Sequence, residues 1–336
     1  MERLNLITNE SVSKNDEGYF CDNIDIKTLT EGLNNFYDTH LFCRASKNLR
    51  SFKIINKNIV CKKSFLGTGA AIFNSLKIKN SKYLIVSITP YTFLTFLILR
   101  LFKKKIFLYL RSDGFDEYKL IIGNIGQFLY GLMFRLMTKQ CSLISVTKKI
   151  LKNNPGHIVT PSNMSKKWCN EKKEISPSNI KLLYVGRLKI EKGIFSLDKL
   201  LVNLNKDYPL TIVCAEKNEN HKLLYKNINF LPKQNEESLI EIYDKHNIFI
   251  LPSFTEGRSQ VMDEALSRSR PVIIFNDIEH MIANRKGIIV SKRDSESLEK
   301  SIQFIQENYI NIQNQMKENK FTDKTEFIES IKNFMS

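Results

Sequence analysis

A chain of 336 residues with 42% hydrophobic residues is too long for one ordinary core and suits two α/β domains of average size. That composition excludes disordered and fibrous classes. The net charge of +16 is unevenly placed: residues 1–180 hold 28 Lys/Arg against 13 Asp/Glu, whereas residues 181–336 hold 23 against 22.

The N-terminus, Met1-Glu2-Arg3-Leu4-Asn5, opens directly on an apolar run. It has no basic region followed by an apolar core, so the expectation is no signal peptide and a cytoplasmic chain. Strand-like runs fall at 4–8, 39–43, 52–55, 83–87, 106–110, 143–146 and 158–160, and helix-like segments at 26–34, 70–76, 91–102, 118–138 and 147–151. This alternation predicts βα units and a parallel sheet in a first domain over 1–160. The segment 91–102 follows Pro90 and contains Arg100. It is short of the roughly 20 apolar residues a membrane span needs, and so reads as a buried or interfacial helix. Between Thr39 and Ser112 there are 15 Lys/Arg and no acidic residue. That pattern predicts either a face for an anionic membrane, with the chain peripheral on its inner surface, or a solvated basic face. No nucleic-acid motif is present, so no nucleic-acid partner is expected.

The polar stretch 161–180, with Lys166-Lys167 and Pro177, reads as a linker. A second domain over 181–310 follows, with strands at 182–185, 210–214, 228–231, 248–251, 271–275 and 287–290 and helices at 194–204, 236–246, 258–267 and 295–305. The tail 311–336 reads as helical, and Phe327, Ile328, Ile331 and Phe334 form a stripe suited to docking on a domain surface. The six cysteines form no CxxC pair and read as free thiols in a reducing compartment.

Two turns carry chemistry. In the first, Leu183-Tyr184-Val185-Gly186-Arg187 ends a strand and Lys192-Gly193 opens a helix. Gly186 permits close approach to the backbone, and Arg187 and Lys192 suit a diphosphate. In the second, the apolar strand 248–251 runs through Pro252 to Glu256-Gly257-Arg258-Ser259-Gln260, and Glu264 lies in the helix that follows. Amides from Gly257 to Gln260 at the helix start form an anion site. Two carboxylates beside it fit if they accept hydrogen bonds from sugar hydroxyls while amides and cations hold phosphates. The competing reading makes Glu264, and Asp263 with it, a solvated helix face.

Taken together, the two turns resemble the glycosyltransferase family 4 (group 1) enzymes. The resemblance implies a GT-B fold, with two Rossmann-like domains facing each other across a cleft. It further implies a retaining, metal-independent hexosyltransferase of EC 2.4 type, using a nucleotide sugar and a glycan or lipid-linked acceptor in polysaccharide or lipopolysaccharide synthesis. The alternative is a non-catalytic nucleotide-sugar-binding partner in an assembly complex. No cofactor or metal is expected. By the resemblance, Arg187, Lys192 and Glu256 are catalytic. Gly186, Gly257, Arg258, Ser259, Gln260 and Glu264 bind the donor, with Glu264 on the ribose. Two departures fall in the first domain and one in the second: the loop 9–20 offers only Gly18, and Arg111-Ser112-Asp113-Gly114 stands where a histidine is usual. Arg111 or Asp113 substitutes there, or Asp113 caps the next helix. After 210–214, Ala215-Glu216 replaces a glycine-rich turn. His40, His157, His221, His246 and His280 read as structural or solvated.

Overall fold

Leu4, Leu6 and Ile7 are wholly buried, and a strand apolar on both faces belongs in the middle of a parallel sheet. In the computed structural model the strand Arg3–Asn15 lies between Asp38–Ala45 and Ser81–Val86, parallel to both. Ile59–Lys62 continues the parallel sheet beyond Asp38–Ala45, and Ile106–Leu110, Ser142–Ser145 and His157–Ile158 continue it on the other side. Helices cover both faces. Leu4 and Leu6 share a core with the helix Ile24–Leu33, whereas Ile7 and Phe42 share one with Pro90–Leu101 and Asn124–Thr138. The structure describes residues 1–170, 172–173, 175–214, 223–256 and 259–336.

Three expectations change in this unit. Residues 9–20 are no simple loop: the strand runs on to Asn15 and turns through Asp16 and Glu17 into the antiparallel strand Gly18–Cys21, with Asn15 opposite Gly18. The helix read over 118–138 is two helices, Gly114–Ile122 and Asn124–Thr138, parted by Gly123 at φ +75°. That left-handed value suits glycine and breaks the ladder. The last helix, Lys324–Met335, is part of this unit's core, where Phe327, Ile328, Ile331 and Met335 are buried with Leu29 and Leu33. A Cβ on Gly32 would stand 2.6 Å from Ile328, so the bare backbone of Gly32 lets the two helices meet. The unit therefore comprises Met1–Asn163 and Thr322–Ser336.

The second unit, Met164–Phe321, holds a six-stranded sheet, all parallel among the described residues. Its order is Ile228–Leu231, Leu210–Val213, Leu182–Val185, Ile248–Leu251, Val272–Phe275 and Ile288–Ser291. The stretch read as a linker is packed: Met164 and Trp168 are buried in this unit's core. Arg268 and Arg270, buried on Asp244, donate to the carbonyls of Trp168, Asn170 and Lys173. Tyr309, Ile312 and Met316 of the helix Tyr309–Met316 belong to the same core, so the tail read over 311–336 divides between the two units. Among the described residues no helix is long and apolar enough to cross a membrane.

Candidate active site

Leu182–Val185 and Ile248–Leu251 are adjacent, with Leu182 opposite Ile248 and Leu183 opposite Phe249. The strand order reverses between them, which is where open α/β sheets bind ligands beyond the carboxyl ends of the strands. Both turns singled out in the sequence leave from these two ends.

In the first turn the Tyr184 hydroxyl donates to the Arg187 carbonyl at 2.7 Å and folds over Gly186. A Cβ at 186 would lie 2.9 Å from that hydroxyl oxygen, so the glycine makes room for the strand's own tyrosine. The Arg187 side chain is exposed and has no hydrogen-bond or ion-pair partner among the described residues. Gly193, at φ +68° and ψ +7°, closes the turn. Its hypothetical Cβ would lie 1.8 Å from the Pro252 carbonyl oxygen, so the two turns are in backbone contact. Phe254 N donates to the Glu191 carbonyl at 3.0 Å and ties them again.

This contact brings Lys192 to Glu256. Lys192 Nζ stands 2.6 Å from Glu256 Oε1, and the Ser253 hydroxyl donates to the same oxygen at 2.8 Å. The Glu256 side chain is 9% exposed and that of Lys192 25%, so the pair is only partly screened by water. Oε2 of Glu256 has no partner among the described residues.

Arg293, which the sequence reading missed, grips the second turn from behind. Its guanidinium donates to the Pro252 carbonyl at 2.9 Å and the Ser253 carbonyl at 3.2 Å, pairs with Asp277 at 2.6 Å, and stacks between Phe254 and Phe275. His280, read as structural or solvated, has Nε2 2.9 Å from the Glu256 carbonyl. Arg293 and His280 are far from the turn in sequence, and no motif spacing marks them.

Further along, Glu264 is buried, not solvated. Gln260 Nε2 donates to its Oε1 at 3.0 Å and the Tyr243 hydroxyl to its Oε2 at 3.2 Å. Burial pushes its carboxyl up to about 7, against these two hydrogen bonds, which favour the charged form. Asp263 is buried too and paired with Arg285 at 2.8 Å. Both carboxylates face inward because the helix Gln260–Ser267 packs almost all round, with Met262, Ala265 and Leu266 wholly buried. Ser259 precedes that helix and is buried, but its side chain makes no capping hydrogen bond. Gly257, Arg258, Ala215, Glu216 and His221 lie outside the described residues.

The first-unit candidates are engaged locally. Asp113 caps Gly114–Ile122, accepting from Phe115 N at 3.2 Å, and pairs with Lys152 at 2.7 Å. Arg111 pairs with Asp25 at 2.5 Å and donates to Asn23 at 3.3 Å. Gly18, at φ +130°, opens the second strand of the hairpin. His40 bonds Asp38, His157 stacks on Phe334, and buried His246 lies between Thr211 and the Ile242 carbonyl, its charged form disfavoured by burial.

Residues 167–323, which contain both turns, match the family model described as glycosyl transferases group 1. The match falls on the second unit, Met164–Phe321. A glycosyltransferase of Haemophilus influenzae is 30% identical over 172 residues, 47% of each chain. The capsular polysaccharide biosynthesis glycosyltransferase CapM of Staphylococcus aureus is 29% identical over 37% of this chain and 36% of its own length. The matches thus span about half or less of these relatives. The apo lipopolysaccharide outer core galactosyltransferase WaaB superposes with a TM-score of 0.68 at 13% identity, covering 99% of each chain. Each unit carries a mainly parallel, Rossmann-like sheet, and the chain has the GT-B fold class.

Proposed function

We propose that this chain is a retaining, metal-independent glycosyltransferase. It moves a sugar from a nucleoside-diphosphate donor to a glycan or lipid-linked acceptor in cell-surface polysaccharide or lipopolysaccharide synthesis. The observation that carries the reading is the Lys192–Glu256 pair at the reversal of strand order, where a cationic and an acidic turn touch through Gly193 and Pro252. The group 1 match over 167–323 and the likeness to a capsular polysaccharide enzyme support it.

The residues divide the work by charge. Arg187 and Lys192 offset the negative charge that builds on the departing diphosphate. An ammonium has three donors, so Lys192 can hold Glu256 and a phosphate oxygen together. Glu256 Oε2 accepts from a hydroxyl of the transferred sugar, Glu264 accepts from the ribose hydroxyls, and the amides of Ser259 and Gln260 face the phosphates. Gly186, Gly257 and Arg258 complete the donor site in this reading. The acceptor oxygen bonds to the anomeric carbon as the bond to the diphosphate oxygen breaks on the same face. The acceptor proton passes to a donor phosphate oxygen.

The first unit reads the acceptor and meets the anionic membrane surface through its basic residues. The engagement of Arg111 and Asp113 within that unit favours the second reading, a nucleotide-sugar-binding partner without turnover. Incubation with UDP-, GDP- and ADP-sugars, with and without a glycolipid extract, separates the two. Transfer or slow donor hydrolysis supports the enzyme, binding alone supports the partner, and no nucleotide binding at millimolar levels refutes both.

A further inference from the structure

The helix Asn124–Thr138 is apolar on two sides. Tyr130, Met133, Phe134 and Met137 are buried in the core, as its pattern requires. Ile125, Phe128, Leu132 and Leu136, at spacings of three and four, form a second stripe on the outside. Ile125 is 70% exposed and Phe128 64%. Ile121, at the end of the preceding helix Gly114–Ile122, is 77% exposed. Pro90–Leu101 packs into the same core through Phe96 and Leu99, and it presents Leu94, Leu97 and Leu101 outward at the same spacing. An outer helix face normally carries polar residues, and contiguous exposed apolar surface marks an interaction site.

The charge around this face is predominantly basic, with Asp116 and Glu117 of the helix Gly114–Ile122 as the exposed exceptions. Between 39 and 163 the only acidic residues are Asp113, Asp116 and Glu117, and 118–163 holds six Lys/Arg and none. Arg100, Lys103 and Lys104 line a shallow depression together with Leu97 and Leu101. Basic groups edging an apolar face complement an anionic phospholipid surface, where side chains of the second kind enter the acyl boundary and the first meet phosphates. Pairing of two copies through this face would set one cationic rim against another.

We propose that the outward stripes of Asn124–Thr138 and Pro90–Leu101 are the membrane-docking face of the first unit, inserting Ile125, Phe128 and Leu132 and holding headgroup phosphate at Arg100, Lys103 and Lys104. The proposal deepens the reading of the first unit as the membrane-facing part. Its test uses the full chain and vesicle flotation with phosphatidylcholine alone or mixed with phosphatidylglycerol, at low and high salt. The expected result is binding to the mixed vesicles that salt weakens without abolishing. F128S/L132S lowers the partition coefficient roughly tenfold or more at either salt level, from the lost apolar insertion. K103E/K104E lowers it mainly at low salt. No flotation of the wild type with anionic vesicles, or unchanged flotation of F128S/L132S, overturns the proposal. So does light scattering that shows a dimer which F128S/L132S makes monomeric without affecting flotation. Nucleoside-diphosphate binding is measured on the same samples: its absence with flotation intact counts against the donor-site reading only, and its presence without flotation counts against the docking face only.

Discussion

The Lys192 ammonium and the Glu256 carboxylate meet at 2.6 Å on neighbouring turns, so each sets the electrostatics of the other. Glu256→Gln removes a negative charge beside Lys192 and leaves its cation to a diphosphate. Nucleoside-diphosphate affinity is expected to rise while turnover falls on the order of a hundredfold. Lys192→Ala is expected to weaken nucleotide binding and to lower turnover by a similar factor. Calorimetry with UDP, GDP and ADP checks the signs, and weaker binding in Glu256→Gln would contradict the arrangement.

Gly193 is constrained twice, by a left-handed backbone and by the Pro252 carbonyl oxygen 1.8 Å from where a Cβ would stand. Gly193→Ala is expected to cost about 3 kcal/mol or more, because the turns must part to admit a methyl group. Denaturant melts give the stability. A variant as stable as the wild type would show that the two backbones do not meet.

Arg293 holds the carbonyls of Pro252 and Ser253 and so positions the turn that ends in Glu256. Arg293→Lys keeps the charge but loses the fork, and is expected to behave like Arg293→Gln, each lowering kcat roughly tenfold. Asp277→Asn should show a weaker effect of the same kind. If Arg293→Lys retains full kcat, charge alone suffices and the fork geometry is irrelevant.

Glu264 gives a pH signature. Its folded carboxyl is raised to about 7 by burial, so the folded state binds more protons than the unfolded state from the ordinary carboxyl range up to that value. Its contribution therefore makes stability fall as pH rises through that window, on the order of 3 kcal/mol in all. Glu264→Gln is expected to flatten the fall. Thermal melts at pH 5, 6 and 7.5 compare the two proteins, and equal slopes would show that the carboxyl is not held up.

The second sheet was readable because its strands are short, mostly apolar and followed by Gly or Pro: Leu182–Val185, Ile228–Leu231 and Ile248–Leu251 end where the sequence pattern ends, before Gly186, Pro232 and Pro252. Gly18–Cys21 and Ile59–Lys62 escaped because each is only partly buried and follows a polar run, Asp16-Glu17 before the first and Asn56-Lys57-Asn58 before the second. The acidic turn was found by its residue types, but its support was not. Arg293 lies 37 residues beyond Glu256, and only the fold brings its guanidinium to the Pro252 carbonyl. The burial of Asp263 and Glu264 escaped for a related reason, since adjacent carboxylates on a short helix look solvated until Arg285 and Tyr243 arrive from other elements.

The helix Lys324–Met335 completes a core whose other members were made first, Leu29 and Leu33 among them. A ribosome that has translated as far as Phe321 has made every residue of the second unit, but it has left the Gly32 side of the first without Ile328. The earlier-made half thus cannot complete its core until that helix has been made. Loss of Lys324–Met335 would therefore harm the unit that holds Leu29 and Leu33, and not the one that immediately precedes it in the chain.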